Sequence, residues 1–343
     1  MFATANNLDY LATRLHARRS RMAEAERLDA LCAIRTLPEL SRAVRLDTDY
    51  QVAAGFQRRV VQDLVQELAG CVRHVGGAGG ELVAWLLARF QVENMKTLVR
   101  GFVNQTSPEV LREHLVILPE GLGLDVKGLA TAKSLEGFVE LLPPGTPRQR
   151  LSEAGLRHRD QPQPFFLEAA LDCGYFQELL AKTFQLSGGD QAVVRPLAFH
   201  EANFFHFMLA VRGRFHFDLP AEVLLALHLP SISDDWFKNL LTASDTLAAA
   251  KASVGIVFDE LPTESGPSES ALEALAWKRF LRLAKDAFRR DHMGLGAVVG
   301  YVGLRRVETA NLITLSEGIR TGMTAEAIRV RLVPRKELEA SYV

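Results

Sequence analysis

Cysteine is scarce in this 343-residue chain: Cys32, Cys71 and Cys173 are odd in number, far apart and form no Cys-x-x-Cys pair. That usage predicts a reduced, cytosolic protein without structural zinc. Excess charge is missing as well. Forty Lys and Arg stand against 41 Asp and Glu, a net charge of −1, so no bulk attraction to nucleic acid is expected. Long apolar runs are absent. The nearly uncharged stretch most worth testing, Met293–Leu304 (MGLGAVVGYVGL), is too short and too rich in glycine to span a bilayer. The opening MFATANNLDY lacks the basic-then-apolar pattern of a signal peptide. Any membrane association is therefore expected to run through a protein partner or the surface.

Catalytic signatures are missing too. There is no Gly-x-Ser-x-Gly elbow, no cysteine with an evident partner and no pair of acids in an obvious cleft. The Gly76–Gly80 run lacks the Lys-Ser/Thr of a phosphate loop and follows a helical pattern instead of a strand, so it reads as a turn between two helices. No catalytic, cofactor-binding or metal residue is assigned. Strand signals are nearly absent. Only Arg214–Asp218 (RFHFD) alternates polar with apolar residues, and it reads as a linker or a stray edge strand before Leu219-Pro220.

What is present is helical periodicity. Leu8, Leu11 and Leu15 recur at spacings of three and four, as do Val60, Leu64, Val65 and Leu68, and then Leu82, Val83, Leu86, Leu87 and Phe90. With 48% hydrophobic and 24% charged residues, the chain has the make-up of a soluble globular protein. The fold class is all-α.

The chain also repeats itself. Asn94–Val116 aligns without a gap on Asn311–Val333, with identities at Asn94/Asn311, Thr97/Thr314, Leu98/Leu315, Gly101/Gly318, Glu109/Glu326, Arg112/Arg329, Leu115/Leu332 and Val116/Val333. Unrelated segments would share roughly one or two such identities. A weaker copy runs from Asn203 to Glu222, with four extra residues before its glutamate. A second series of markers keeps nearly the same period: Thr36, Ser134 and Ser233 each read as the N-cap of a short helix, with Glu39 completing a capping box at the first. Three pseudo-equivalent helical modules follow, at 1–122, 123–230 and 231–343. In each, the asparagine helix is expected to stop at a glycine C-cap (Gly101, Gly213, and Gly318 or Gly322). The next helix starts with a first-turn glutamate, Glu109, Glu222 or Glu326. Loops are expected at Pro143–Pro147, Gln161–Pro164, Ser187–Asp190 and Leu261–Pro267.

Asn94, Asn203 and Asn311 sit mid-helix, where asparagine is a mediocre helix former, and this points to buried side-chain-to-backbone bonds that fix how the modules pack. Arg100, Arg212 and Arg320 lie near the ends of those helices. They complement the helix dipole and are also candidates for contact with an acidic partner. The basic clusters at Arg14–Arg21, Arg289-Arg290 and Arg305-Arg306 are candidates for lipid headgroups, but each is matched by nearby acids or spread round a helix, so solvated faces are the simpler reading. His200-Glu201 suggests a metal site, yet the second histidine is His206, not residue 204, and so lies on a different helix face; His216 is a distant third. A helical metalloenzyme is thus the rival reading, and an unrelated helical scaffold a third.

In the last module, Tyr301-Val-Gly-Leu304, Glu308-Thr-Ala-Asn311-Leu312, the Gly318–Gly322 turn and Ala325-Glu326-Ala-Ile-Arg329 resemble the C-terminal region of one V/A-type ATPase component, named C in bacteria and archaea and d in vacuolar enzymes. Asp49-Tyr50 and Phe90–Lys96 resemble the first module of the same family. The resemblance implies a non-catalytic central rotor adapter without cofactors, an all-helical funnel or socket of three modules. It implies central-stalk and membrane rotor-ring subunits as partners, one copy per complex, on the cytoplasmic face, passing torque for proton or sodium transport.

Overall fold

Apolar residues at three- and four-residue spacing close into helices throughout the described residues. The computed structural model describes residues 7–157, 163–261 and 268–333. The opening MFATAN, nearly all of the expected loop at Leu261–Pro267 and half of that at Gln161–Pro164 lie outside those residues. Among the described residues no strand forms; one isolated bridge joins Val254 and Phe258. The protein is all-α. Six helices have 20 residues or more: α1 (Ala53–Val72), α2 (Gly77–Val103), α3 (Pro164–Gln185), α4 (Gly188–Val211), α5 (Glu269–Arg290) and α6 (Leu295–Arg320).

The three predicted caps form. Thr36 Oγ1 accepts from Glu39 N at 3.4 Å, Ser134 Oγ from Gly137 N at 3.1 Å and Ser233 Oγ from Trp236 N at 3.3 Å. Each satisfies one orphan donor of a first helical turn. The Glu39 carboxylate makes no return bond to Thr36 among the described residues, so the capping box is half made. Gly76 is the N-cap of α2, and the rest of its glycine run is the first turn of that helix.

The chain divides into two compact units, Met1–Val75 with Ser268–Val343, and Gly76–Pro267. These breaks cut across the repeat boundaries at 122/123 and 230/231, because α1 and α2, consecutive in sequence, bury their apolar faces in different units. In the first unit, Leu28, Phe56, Val60, Leu312, Leu315 and Ile328 form one buried cluster that ties α1 to α6. Helices α5 and α6 come close at Gly300, where a Cβ would lie 2.6 Å from the Ala284 carbonyl oxygen. The uncharged Met293–Leu304 stretch supplies the start of α6, buried from Leu295 to Leu304. It is a core helix. No helix among the described residues is long and apolar enough to cross a membrane.

In the second unit α3 is the central element, packed on α2, α4 and the Thr146–Arg157 helix. Gly174 of α3 lets the Pro147 backbone approach, since a Cβ there would stand 2.5 Å from Pro147 Cα.

Candidate functional site

The repeated asparagines build one local device. Asn94 of α2 donates from Nδ2 to Val116 O at 2.8 Å and accepts at Oδ1 from Val116 N at 2.9 Å. Asn311 of α6 accepts at Oδ1 from Val333 N at 2.9 Å, again 22 residues on. Both asparagines are buried. Each clamps the chain that leaves the following short helix back onto the long one. Burial makes these bonds consequential, because an orphaned buried donor or acceptor costs about 1–3 kcal/mol.

The middle copy holds the same place with a different residue. Asn203 is half-buried, and His206, three positions on, makes the clamp. Its Nδ1–H donates to Ala202 O at 2.8 Å and its Nε2 accepts from Leu229 N at 3.2 Å, 23 residues on. His206 has no exposed surface. Burial pushes its pKa down to about 3, the Ala202 bond opposing and His228 adding to the shift. The ring is neutral and fixed as the Nδ1–H tautomer.

The glycines follow that register. Gly101, Gly213 and Gly318 each fall seven residues after the clamp residue, and none is a C-cap: Gly101 and Gly318 lie within their helices and Gly213 within the π-turn that ends α4. They are contact positions. A Cβ would meet a side-chain carbon of Leu111 at 2.5 Å, of Leu224 at 2.6 Å and of Ile328 at 2.5 Å respectively. The left-handed residues come later, at Gln105, Asp218 and Gly322, so Gly322, the alternative in the third copy, is the one expected glycine that caps its helix. The turn is closed by Thr106 N on Gly101 O (2.8 Å), Leu219 N on Gly213 O (2.7 Å) and Met323 N on Gly318 O (2.8 Å). The middle turn is one residue longer. That residue is taken up by a π-turn over Arg212–His216, the usual structural trace of a single insertion in a helix. The alternating RFHFD run is therefore mostly π-helix, not strand or linker. Of the four extra residues counted from Asn203, three come from the wrong marker and one from this insertion.

The other candidates separate. Arg100 forms a bidentate pair with Glu168, Nη2 to Oε2 at 2.7 Å and Nε to Oε1 at 2.8 Å. Arg320 pairs with Glu317 at 2.7 Å on the same helix. Arg100 and Arg212 share a register, six residues after the clamp, whereas the third copy has Glu317 there. Glu109, Glu222 and Glu326 stand exposed in the first turns of their short helices. Glu109 and Glu326 lie 3.9 and 3.5 Å from Arg112 and Arg329. The metalloenzyme reading loses its central ligand, because both ring nitrogens of His206 are engaged by backbone. Among the described residues no three His, Cys, Asp or Glu side chains are grouped to hold a metal.

Two half-buried ionic networks escape the sequence reading. On α2, Arg89 bonds Asp172 of α3 at 2.8 Å and lies over the Tyr175 and Phe176 rings at 5.0 and 5.5 Å. Lys96 reaches the other Asp172 oxygen at 3.0 Å and Glu93 at 3.1 Å. Burial alone lowers the Arg89 pKa, but Asp172 and Glu93 outweigh it and hold it above its ordinary value. On α6, Arg305 pairs with Glu67 at 2.9 Å and with Glu308, which also accepts from Ala23 N. Tyr301 Oη donates to Glu67 at 3.0 Å. Burial and the Glu67 charge raise the Tyr301 pKa, so its proton stays. The available signal was a charged residue inside an apolar stretch: Arg89 within Leu82–Val92, and Arg305 and Glu308 within Leu295–Leu315. Burial also raises the thiols of Cys71 and Cys173, to about 11 and about 12, and leaves them inert.

Long helices, repeated side-chain-to-backbone clamps and paired charges between helices define an all-α protein built on one recurring local device. Its sequence matches the ATP synthase (C/AC39) subunit model over residues 11–331, and the chain belongs to that family. It is similar to the A-type ATP synthase C subunit of Methanocaldococcus jannaschii, 24% identical over 94% of this chain and 86% of that protein. It is also similar to the proteins of the same name from Haloquadratum walsbyi, 27% identical over 53% of this chain and 55% of that one, and Methanosphaera stadtmanae, 22% identical over 68% and 63%.

Proposed function

We propose that this chain is the non-catalytic rotor adapter of an A/V-type ATP synthase. It sits peripherally on the cytoplasmic face, one copy per complex, between the membrane rotor ring and the central stalk. It hands torque between ATP turnover and the movement of protons or sodium ions. The observation that carries this reading is the family match across nearly the whole chain. The repeats at 1–122, 123–230 and 231–343 form three walls of a funnel or socket. The stalk foot enters its concave side, and Arg100, Arg212 and Arg320 meet acidic groups of the partners there.

The local physics supports such a role. A torque element must deform little under load. Close-packed helices provide stiffness, and each clamp ties a short helix to a long one with buried bonds that break only at a cost. The bidentate Arg100–Glu168 pair would have to be exchanged for a partner's carboxylate, a swap close to neutral in energy and therefore reversible.

The test is a complex purified with and without this chain. Without it, ATP hydrolysis by the catalytic head should persist while ATP-driven ion pumping is lost, and adding the chain back should restore pumping. Full pumping in its absence would refute the proposal.

A further inference from the structure

We infer that the first compact unit carries an anion-binding cleft suited to a phosphate group. This cleft, of about 440 Å³, opens between the N-terminal elements, α1 and α6. Its size falls in the range of small-molecule sites. Five guanidinium groups line it, from Arg18, Arg21, Arg27, Arg45 and Arg305. Three carboxylates share the lining, those of Asp63, Glu67 and Glu308.

All three carboxylates already have partners. Asp63 pairs with Arg59 at 3.0 Å. Glu67 and Glu308 hold Arg305, and Arg18 stands 3.9 Å from Glu67. That leaves Arg21, Arg27 and Arg45 without a carboxylate partner among the described residues. Arg27 is held in place by two backbone carbonyls, Arg21 O and Ala43 O. Arg45 has φ 63 and ends a helix through the Leu46 N to Ser41 O bond of 2.9 Å, a turn position that glycine fills at less cost. The positive surplus of the lining therefore sits on Arg21, Arg27 and Arg45, beside acids that already have partners.

Phosphate fits this arrangement better than a carboxylate does. A tetrahedral group carrying up to two negative charges suits these unpaired arginines, and the planar fork of arginine bonds it bidentately. Met22, Val60 and Leu312 give one wall apolar character, which favours a phosphate ester over the bare ion. Two sources offer this chemistry, a free phosphate ester or pyrophosphate and the headgroup of an anionic lipid. This inference is independent of the rotor-adapter proposal, because its test uses the isolated chain.

The experiment is calorimetric titration of the full chain with pyrophosphate and with ADP, plus flotation with phosphatidylglycerol vesicles against phosphatidylcholine vesicles, all at about 0.15 M salt so that diffuse attraction is screened. The variants are Arg21→Gln with Arg45→Gln. The control is Arg112→Gln with Arg331→Gln, which changes charge equally outside the cleft. Circular dichroism checks that both remain folded. Saturable one-site binding that weakens about tenfold per cleft arginine, and is unchanged in the control, supports the inference. Response to pyrophosphate or ADP alone identifies a free ligand; response to anionic vesicles alone identifies a lipid. No saturable binding to any probe, or equal losses in cleft and control variants, overturns it.

Discussion

Replacing His206 with asparagine should remove a pH sensitivity without removing the clamp. In the fold the imidazole is buried and neutral, donating to Ala202 O and accepting from Leu229 N. Its pKa is about 3 in place of 6.5. The unfolded chain takes up a proton as pH falls below 6.5 and the folded chain does not. The stability tied to this group is therefore fully present above pH 6.5 and is lost as pH falls toward 3. The slope is one proton, about 1.4 kcal/mol per pH unit, or about 2 kcal/mol between pH 8 and pH 5. Asparagine offers Oδ1 to the Leu229 N–H, as Asn94 and Asn311 do for their own downstream backbones, and does not titrate. Urea denaturation of wild type, His206→Asn and His206→Ala at both pH values measures the effect, with the m-value as the check on cooperativity. Wild type should lose about 2 kcal/mol more than His206→Asn on going to pH 5. His206→Ala should be destabilised at both, by about 3–5 kcal/mol, from the cavity and the orphaned Leu229 donor. Equal pH dependence in wild type and His206→Asn would refute the reasoning.

Three further outcomes are expected. Gly318→Ala should lower stability by about 1–3 kcal/mol through the clash with Ile328, and Gly318→Ala with Ile328→Val should recover part of the loss, both read by denaturant midpoint. Asp172→Ala should cost about 1–3 kcal/mol, because it takes from half-buried Arg89 and Lys96 the carboxylate they share; thermal melting checks this. Arg100→Ala should cost under about 1 kcal/mol in melting, its side chain being 55% exposed, while weakening assembly measurably in a pull-down with stalk subunits.

The helical class and the N-caps were open to reading because both depend on local chemistry: apolar spacing, and Ser or Thr ahead of a helix. Two of the three clamps were legible for a related reason, since an asparagine in mid-helix needs a buried partner to justify it. The third was missed because histidine performs the same task with different atoms, and letter matching favoured Asn203 over a chemically equivalent neighbour. Glycine misled at three places and not at a fourth: near a helix end it suggests a left-handed cap, which Gly322 is, whereas Gly101, Gly213 and Gly318 serve close contact. The charge networks depend on pairs such as Arg89 with Asp172 and Glu67 with Arg305, far apart in the chain, and no local pattern encodes such meetings. The two compact units were illegible for the same cause, because burial of α1 against α6 joins opposite ends of the sequence.

The π-turn at Arg212–His216 has a consequence for how stretches of like build can differ in length. Adding one residue to a regular helix rotates everything beyond it by about 100°, which would swing Leu224 and Leu229 away from their contacts. A single wide turn swallows the added residue and hands the chain on at its original heading. Similar stretches can thus differ in length while their anchoring points stay in phase.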